Sequence, residues 1–233
     1  MTARWQAGRV LPALLAAARL GPFCALDDDP GPGWVDLADG DRLLAERAAA
    51  VRAVLGPAAE PRVVHSLVHL GVVARVLSPA VGAALAADVL PVPASVHLQP
   101  VGSNPVPMAW AGVRGVDVAA PQDIAAALAE HWLGPLVQPW TDTVAATGLS
   151  GQVLTGNVVS AVNGTCVVVA AARPDLAPRA RALVDALVAT GPLHGRGARR
   201  PDGSFVRRSC CLIQLLPGAG TCADCVLVDP VPA

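Results

Sequence analysis

Arg207-Arg208-Ser209-Cys210-Cys211, a gap of ten residues, and then Cys222-Ala223-Asp224-Cys225 place four of the chain's six cysteines within sixteen residues. Thiols this dense bind metal or form disulfides, and the spacing Cys-Cys-x10-Cys-x2-Cys bears on the choice. Cys222 and Cys225, two residues apart, can grip one metal ion from a tight turn. Cys210 and Cys211 are adjacent, and successive side chains diverge in regular structure, so they converge only across a backbone kink. Four-cysteine zinc sites are usually built from two Cys-x2–4-Cys knuckles, and the adjacent pair is not one. A two-iron cluster takes four thiolates, two per iron. Between the pairs, Leu212 to Leu216 offers an apolar shield. Pro217-Gly218-Ala219-Gly220 offers a turn whose glycines let N–H groups approach sulfur.

The rest of the chain narrows the function classes. It has 233 residues, of which 53% are hydrophobic and 15% charged, so a sizeable core is expected rather than disorder. A formal net charge of -1 argues against a general nucleic-acid binder, whose affinity rests on many phosphate contacts. Every basic residue is arginine, and tyrosine is absent. Apolar runs are interrupted: Gly71 to Val89 contains Arg75, Pro79 and Asp88, and the N-terminal run from Val10 meets Arg19. No signal, anchor or spanning helix is therefore expected. A cytoplasmic location follows, with any membrane contact peripheral at the inner face. Reduced thiols in that compartment disfavour disulfides.

Outward from the cysteines, hydrophobic periodicity predicts an α+β, mainly helical fold with a small antiparallel hairpin. Residues 1–25 read as an amphipathic helix containing Pro12, and 26–40 as an acidic loop. Asp41 is expected to cap a helix ending at Gly56-Pro57. A helix from Val63 should stop at Ser78-Pro79, with a further one running to Leu90. Val96 to Pro100 and Val106 to Trp110 alternate as a hairpin around a four-residue loop. Pro121 opens a helix expected to break at Gly134-Pro135. Residues 153–172 fit either a hairpin turning at Asn163-Gly164 or a helix closed by Gly164. Pro178 to Ala189 reads as the last helix, and 190–209 as an irregular Gly/Arg-rich connection. The domain reading is a helical body, 1–195, and a C-terminal cysteine-rich module, 196–233.

Taken together, Arg-Arg-Ser-Cys-Cys-x10-Cys-Ala-Asp-Cys with Pro-Gly-x-Gly before the second pair resembles the C-terminal motif of FhuF-type ferric-siderophore reductases. Val64 to Pro79 resembles that family's first helical block, Ser95-Val96-His97-Leu98 its short strand, and Gly156 to Val162 its Trp-Gly-Asn-x-Ala-Ser-Ala segment. Thr155 stands where the family often has Trp. The resemblance implies a [2Fe-2S] cluster on Cys210, Cys211, Cys222 and Cys225 that passes single electrons to the ferric ion of a bound siderophore. No dinucleotide fingerprint or phosphate loop is present, so the electron is expected from a separate carrier: ferredoxin, flavodoxin or an NAD(P)H-dependent reductase.

Arg207 and Arg208, beside the ligands, are read as cluster-tuning or docking charges. Arg196, Arg199 and Arg200 fit a solvated linker equally well. His97 and Gln99, on one face of the hairpin, and Asn157 are candidate siderophore contacts, although Asn157 is equally well a structural cap. His65 and His69, at i, i+4, lack a third ligand and are read as packing residues. Lone Cys24 and Cys166 are read as buried hydrophobes. The alternative to a reductase is a non-redox zinc-binding or siderophore-handling module.

Overall fold

The computed structural model describes residues 7–27 and 30–228. The first six residues of the expected N-terminal helix, and Asp28 and Asp29 of the acidic loop, lie outside that range. In chain order the main elements are α1 (Ala7–Ala18), β1 (Val35–Asp36), α2 (Gly40–Leu55), α3 (Pro61–Ala87), β2 (Val89–Val92), β3 (Ser95–Leu98), β4 (Met108–Ala111) and β5 (Arg114–Asp117). Then come α4 (Pro121–Leu128), a π-helical stretch (Ala129–Val137), α5 (Gln138–Ala145), α6 (Gly151–Ala172), α7 (Ala177–Ala189), β6 (Gly197–Arg199) and β7 (Phe205–Arg207). The fold is mainly helical, with three small antiparallel sheets among the described residues.

The two longest helices, α3 and α6, form the axis and share the most extensive helix–helix contact. From Val72 to Leu85, α3 is buried on nearly every side, as expected of a helix apolar all round. Both helices are long and apolar enough to cross a membrane, yet 72% and 56% of their most apolar windows are buried inside this fold. Packing also explains two departures from expectation. Ser78-Pro79 does not end α3, and Gly164 does not end α6; both helices run on. A proline inside a helix removes one hydrogen bond, and a glycine costs about 1 kcal/mol against alanine. Burial along the whole α3–α6 seam outweighs both. Gly134-Pro135 likewise does not break its helix, because the turn there widens to the π form and α5 continues from it.

Asp41 lies inside the first turn of α2 rather than capping it, and Gly40 starts the helix instead. Asp39 takes the N-cap position, its carbonyl accepting Leu43 N–H, and Gly40 leaves room for α5, since a Cβ there would sit 2.6 Å from Thr143 Oγ1. The expected hairpin forms as β3 and β4, pairing Val96 with Trp110 and Leu98 with Met108, with β1 added alongside Leu98 and His97. β2 and β5 pair outside it, from Val89↔Asp117 to Val92↔Arg114. The supposed irregular connection 190–209 contains a third sheet, β6–β7, in which Arg199 pairs with Phe205.

Arg75 fastens these parts to α3. Its buried guanidinium donates to Val106 O (2.5 Å), Phe23 O (2.9 Å) and Ala25 O (2.6 Å), and meets Asp27 Oδ2 at 3.1 Å. The same carboxylate oxygen accepts Met108 N–H at 2.7 Å, which ties the hairpin to the loop after α1. Removing the guanidinium strands several acceptors at once. Arg75→Ala is therefore expected to lower unfolding stability by about 3 kcal/mol or more in urea titrations. Asp27→Asn, at a half-exposed carboxylate, is expected to cost far less.

His69 is fully buried and stacks on Trp140 at an interplanar angle of 5°. Thr141 Oγ1 gives its proton to Val137 O, so the His69 Nε2–H donates to Thr141 Oγ1 (3.1 Å), leaving Nδ1 without a partner. Burial holds the imidazole neutral and pushes its pKa down to about 3. The unfolded chain binds this proton first as pH falls. The contribution of His69 is therefore present above about pH 6.5 and lost on the way down to pH 3, at up to about 1.4 kcal/mol per pH unit. Urea titrations from pH 7 to pH 5 should show this slope, and His69→Gln should flatten it.

Candidate metal centre

β7 ends at Arg207, and the chain then lays the cysteine segment against the ends of α3 and α6. Three side chains of the helical body receive it. Ser66 Oγ, on α3, donates to Cys211 O at 2.8 Å. Asn157, on α6, donates from Nδ2 to Ser66 O (3.1 Å) and Ser66 Oγ (3.2 Å), and its Oδ1 accepts Arg207 Nη1 at 3.1 Å. Gly156 supplies clearance, since a Cβ there would collide with Ser209 Oγ. The Gly-Asn pair thus has two functions in adjacent residues: one admits the segment and the other binds it.

Arg207 is the centre of this arrangement, with 0% of its surface exposed. Its Nη2 donates to Cys222 Sγ at 2.6 Å and lies 3.5 Å from Asp224 Oδ1. Burial works against its charge, but Asp224 and the Cys211 and Cys222 sulfurs more than offset this and keep the guanidinium protonated. Arg200, read as linker from sequence, is also engaged. Its Nη2 donates to Cys225 O (2.7 Å) and Val228 O (2.8 Å), clamping the chain after the second cysteine pair. Arg199 is held by Asp185 and Arg181 O, whereas Arg208 is exposed and its backbone N–H donates to Arg196 O.

All six cysteines are free thiols, so none of the four is tied up in a disulfide. Cys211 Sγ and Cys222 Sγ are 3.7 Å apart. Two thiolates on one tetrahedral metal, with metal–sulfur bonds of about 2.3 Å, would be separated by about 3.8 Å. Leu212, which follows the adjacent pair, adopts φ 70°, in the left-handed region. Its N–H turns back to Cys210 Sγ at 3.2 Å, and Leu227 N–H reaches Cys225 Sγ at 3.4 Å. The backbone of Ile213 also hydrogen-bonds the Cys211 sulfur; Gly218, at φ 74°, is at the turn instead.

Protonation favours metal at the close pair. Cys211 is pushed down to about 5, chiefly by the hydrogen bond from Cys222 and against the effect of burial, with Arg207 helping. The same hydrogen bond, with burial, holds the Cys222 proton on. The pair thus loses one proton readily, and a metal has to displace the second. Among the described residues no three His, Cys, Asp or Glu side chains converge as a single-ion site would require. A two-iron cluster asks for only two thiolates per iron, which Cys211 and Cys222 already provide. Among the described residues, the donors Arg207 Nε and Ser209 Oγ and the acceptor Asp224 Oδ2 are buried without a partner, all in the segment that carries the thiols. Such orphaned donors are where a bound group with acceptor atoms belongs, and bridging sulfides are acceptors. The donor set fits a [2Fe-2S] cluster.

The other sequence candidates lie elsewhere. His97 is held on the sheet by Ser95 Oγ (2.9 Å), with Asp36 Oδ2 at 3.9 Å. Gln99 pairs its N–H with Pro107 O. Neither makes a hydrogen bond to the cysteine segment among the described residues. Asn157 is 0% exposed, and its amide faces Ser66 and Arg207 rather than solvent. Sequence reasoning missed Ser66, Gly156 and Arg200 as supports of the centre. All three are in stretches singled out for other reasons, and only their contacts reveal the role.

Gly156→Ala is expected to displace Ser209 and the cysteine segment while leaving α6 helical. The variant should keep its far-ultraviolet circular dichroism and lose most of its bound iron, by at least about fivefold, measured as iron and acid-labile sulfide per chain.

A search of curated proteins finds no match to this chain. Residues 207–227 match the family model described as FhuF 2Fe-2S C-terminal domain. That span runs from the buried arginine to just beyond the last thiol, and it implies the [2Fe-2S] cofactor that the donor set fits. The cysteine segment, which packs on α3 and α6, is therefore similar to the FhuF 2Fe-2S C-terminal domain.

Proposed function

We propose that the protein is a cytoplasmic one-electron reductase of ferric siderophores, supplied by a separate donor such as a ferredoxin, a flavodoxin or an NAD(P)H-dependent reductase. The observation that carries this reading is a [2Fe-2S] domain whose thiols differ in cover: Cys211 and Cys225 are buried, Cys210 and Cys222 only partly so. The 3.7 Å separation of Cys211 and Cys222 suits two thiolates on one iron, and Cys210 and Cys225 would then serve the other. When bound, the cluster supplies reversible one-electron chemistry.

The chain's own residues do the rest. Arg207 holds a positive charge on the Cys222 sulfur, which favours the more negative, reduced state of whatever that sulfur ligates. Ser66 and Arg200 fix the backbone carbonyls of Cys211 and Cys225. Arg208, Leu215 and Leu227 are exposed in the same segment, which gives it both a cation and apolar side chains at its surface. Such a surface suits an anionic chelate with an organic periphery. Siderophores hold Fe(III) through hard anionic oxygens and Fe(II) far more weakly. One electron from the carrier, passed to the chelated Fe(III), releases Fe(II) without breaking any bond of the chelator.

The test is anaerobic mixing of dithionite-reduced protein with ferric hydroxamate and ferric catecholate chelates while visible absorption is followed. Reoxidation with about one Fe(II) per electron delivered, trapped by a ferrous chelator, is the expected result. A colourless protein carrying zinc, or a cluster that no ferric chelate reoxidises, would overturn the reading.

A further inference from the structure

Cys222 sits at the end of a chain of buried polar contacts that begins on α3. Ser66 bonds to Asn157, Asn157 to Arg207, and Arg207 to the Cys222 sulfur. Ser66, Asn157 and Arg207 each have 0% of their surface exposed. A guanidinium is planar, so fixing one of its nitrogens largely fixes where the others point. Asn157 Oδ1 takes Nη1, and Nη2 is thereby directed at the sulfur. The amide cannot easily turn over. Its Nδ2 is committed to both the carbonyl and the hydroxyl of Ser66, and an inverted amide would set Nδ2 against the guanidinium and Oδ1 against the Ser66 carbonyl.

We infer that Asn157 is a positioning residue for the cluster: through Arg207, and braced by Ser66, it sets the strength of the hydrogen bond to Cys222 and hence the reduction potential. A cation donating to a ligand sulfur stabilises the reduced, more negative state, and hydrogen bonds to the sulfurs are among the terms that set cluster potentials. Asp224 opposes only part of this charge, because its carboxylate is 3.5 Å from Nη2 while the sulfur is at 2.6 Å. Asn157 therefore acts without contacting either substrate or sulfur. The inference rests on the cluster and not on the ferric chelate as electron acceptor.

The experiment is a spectroelectrochemical titration of the full-length protein and its variants, each with iron and sulfide content measured first. Asn157→Leu keeps the volume but removes the bond to Arg207. Its midpoint potential is expected to fall by at least the equivalent of a tenfold change in the one-electron equilibrium, about 59 mV. Arg207→Gln should fall at least as far, and Asn157→Leu added to Arg207→Gln should change nothing further, because the residue through which Asn157 acts is already gone. Ser66→Ala adds no bulk and is expected to move the potential in the same direction by a smaller amount. It decides the matter if Asn157→Leu fails to take up the cluster. Loaded Asn157→Leu and Ser66→Ala proteins at the wild-type potential, or an Asn157→Leu shift that persists in full on the Arg207→Gln background, would overturn the inference. A wild-type protein that loads its cluster but is not reoxidised by ferric chelates would count against the reductase reading alone.

Discussion

A charged guanidinium with no exposed surface dominates the organisation of this protein. Burying a cation costs several kcal/mol unless partners surround it, and removing one partner from such an arrangement typically costs about 3–5 kcal/mol. Arg207 meets that requirement only where β7, α6 and the turn around Cys222 and Asp224 come together. The penalty for leaving it unpaired therefore enforces the placement of the whole cysteine segment. The cysteine segment has little regular structure of its own, and its position comes largely from this one side chain.

Arg75 does comparable work at the other end of the body, gathering three carbonyls and a carboxylate from segments distant in sequence. The absence of lysine, which composition alone offers as a bias of the coding sequence, has a structural counterpart here. A guanidinium carries five donors in a fixed plane and an ammonium only three on a rotating head. Linking several acceptors with one buried cation suits the former. Arg75 is fixed by loops distant in sequence and Arg207 by another helix, yet both turn irregular chain into a defined surface.

Much of this was legible in the sequence. The four thiols, the adjacent arginines, the mainly helical class and the β3–β4 hairpin follow from spacing and periodicity, because each is a local pattern. What escaped was set by contacts between distant segments. Pro79 and Gly164 are helix breakers by propensity, and only the α3–α6 seam overrides them. β6 and β7 are three residues each, too short for alternation to register. Asn157, in the stretch that resembles the family's Trp-Gly-Asn segment, fitted a substrate contact and a structural cap equally well. Sequence offers no way to distinguish either from the buried hydrogen-bonding residue it is. Arg200 looked like solvated linker because its partners are backbone carbonyls, which leave no compositional trace.

The seam between Gly156 and Ser209 also bears on the order of events in the cell. Chains are made from the N-terminus, and domains generally fold as they emerge. The surface that receives the thiols is made of Ser66, Gly156 and Asn157, all synthesised before Arg207 and the first cysteine of the motif. The cradle can thus be assembled before the cysteine segment leaves the ribosome, so the four thiols are brought together only on a helical body that has already formed.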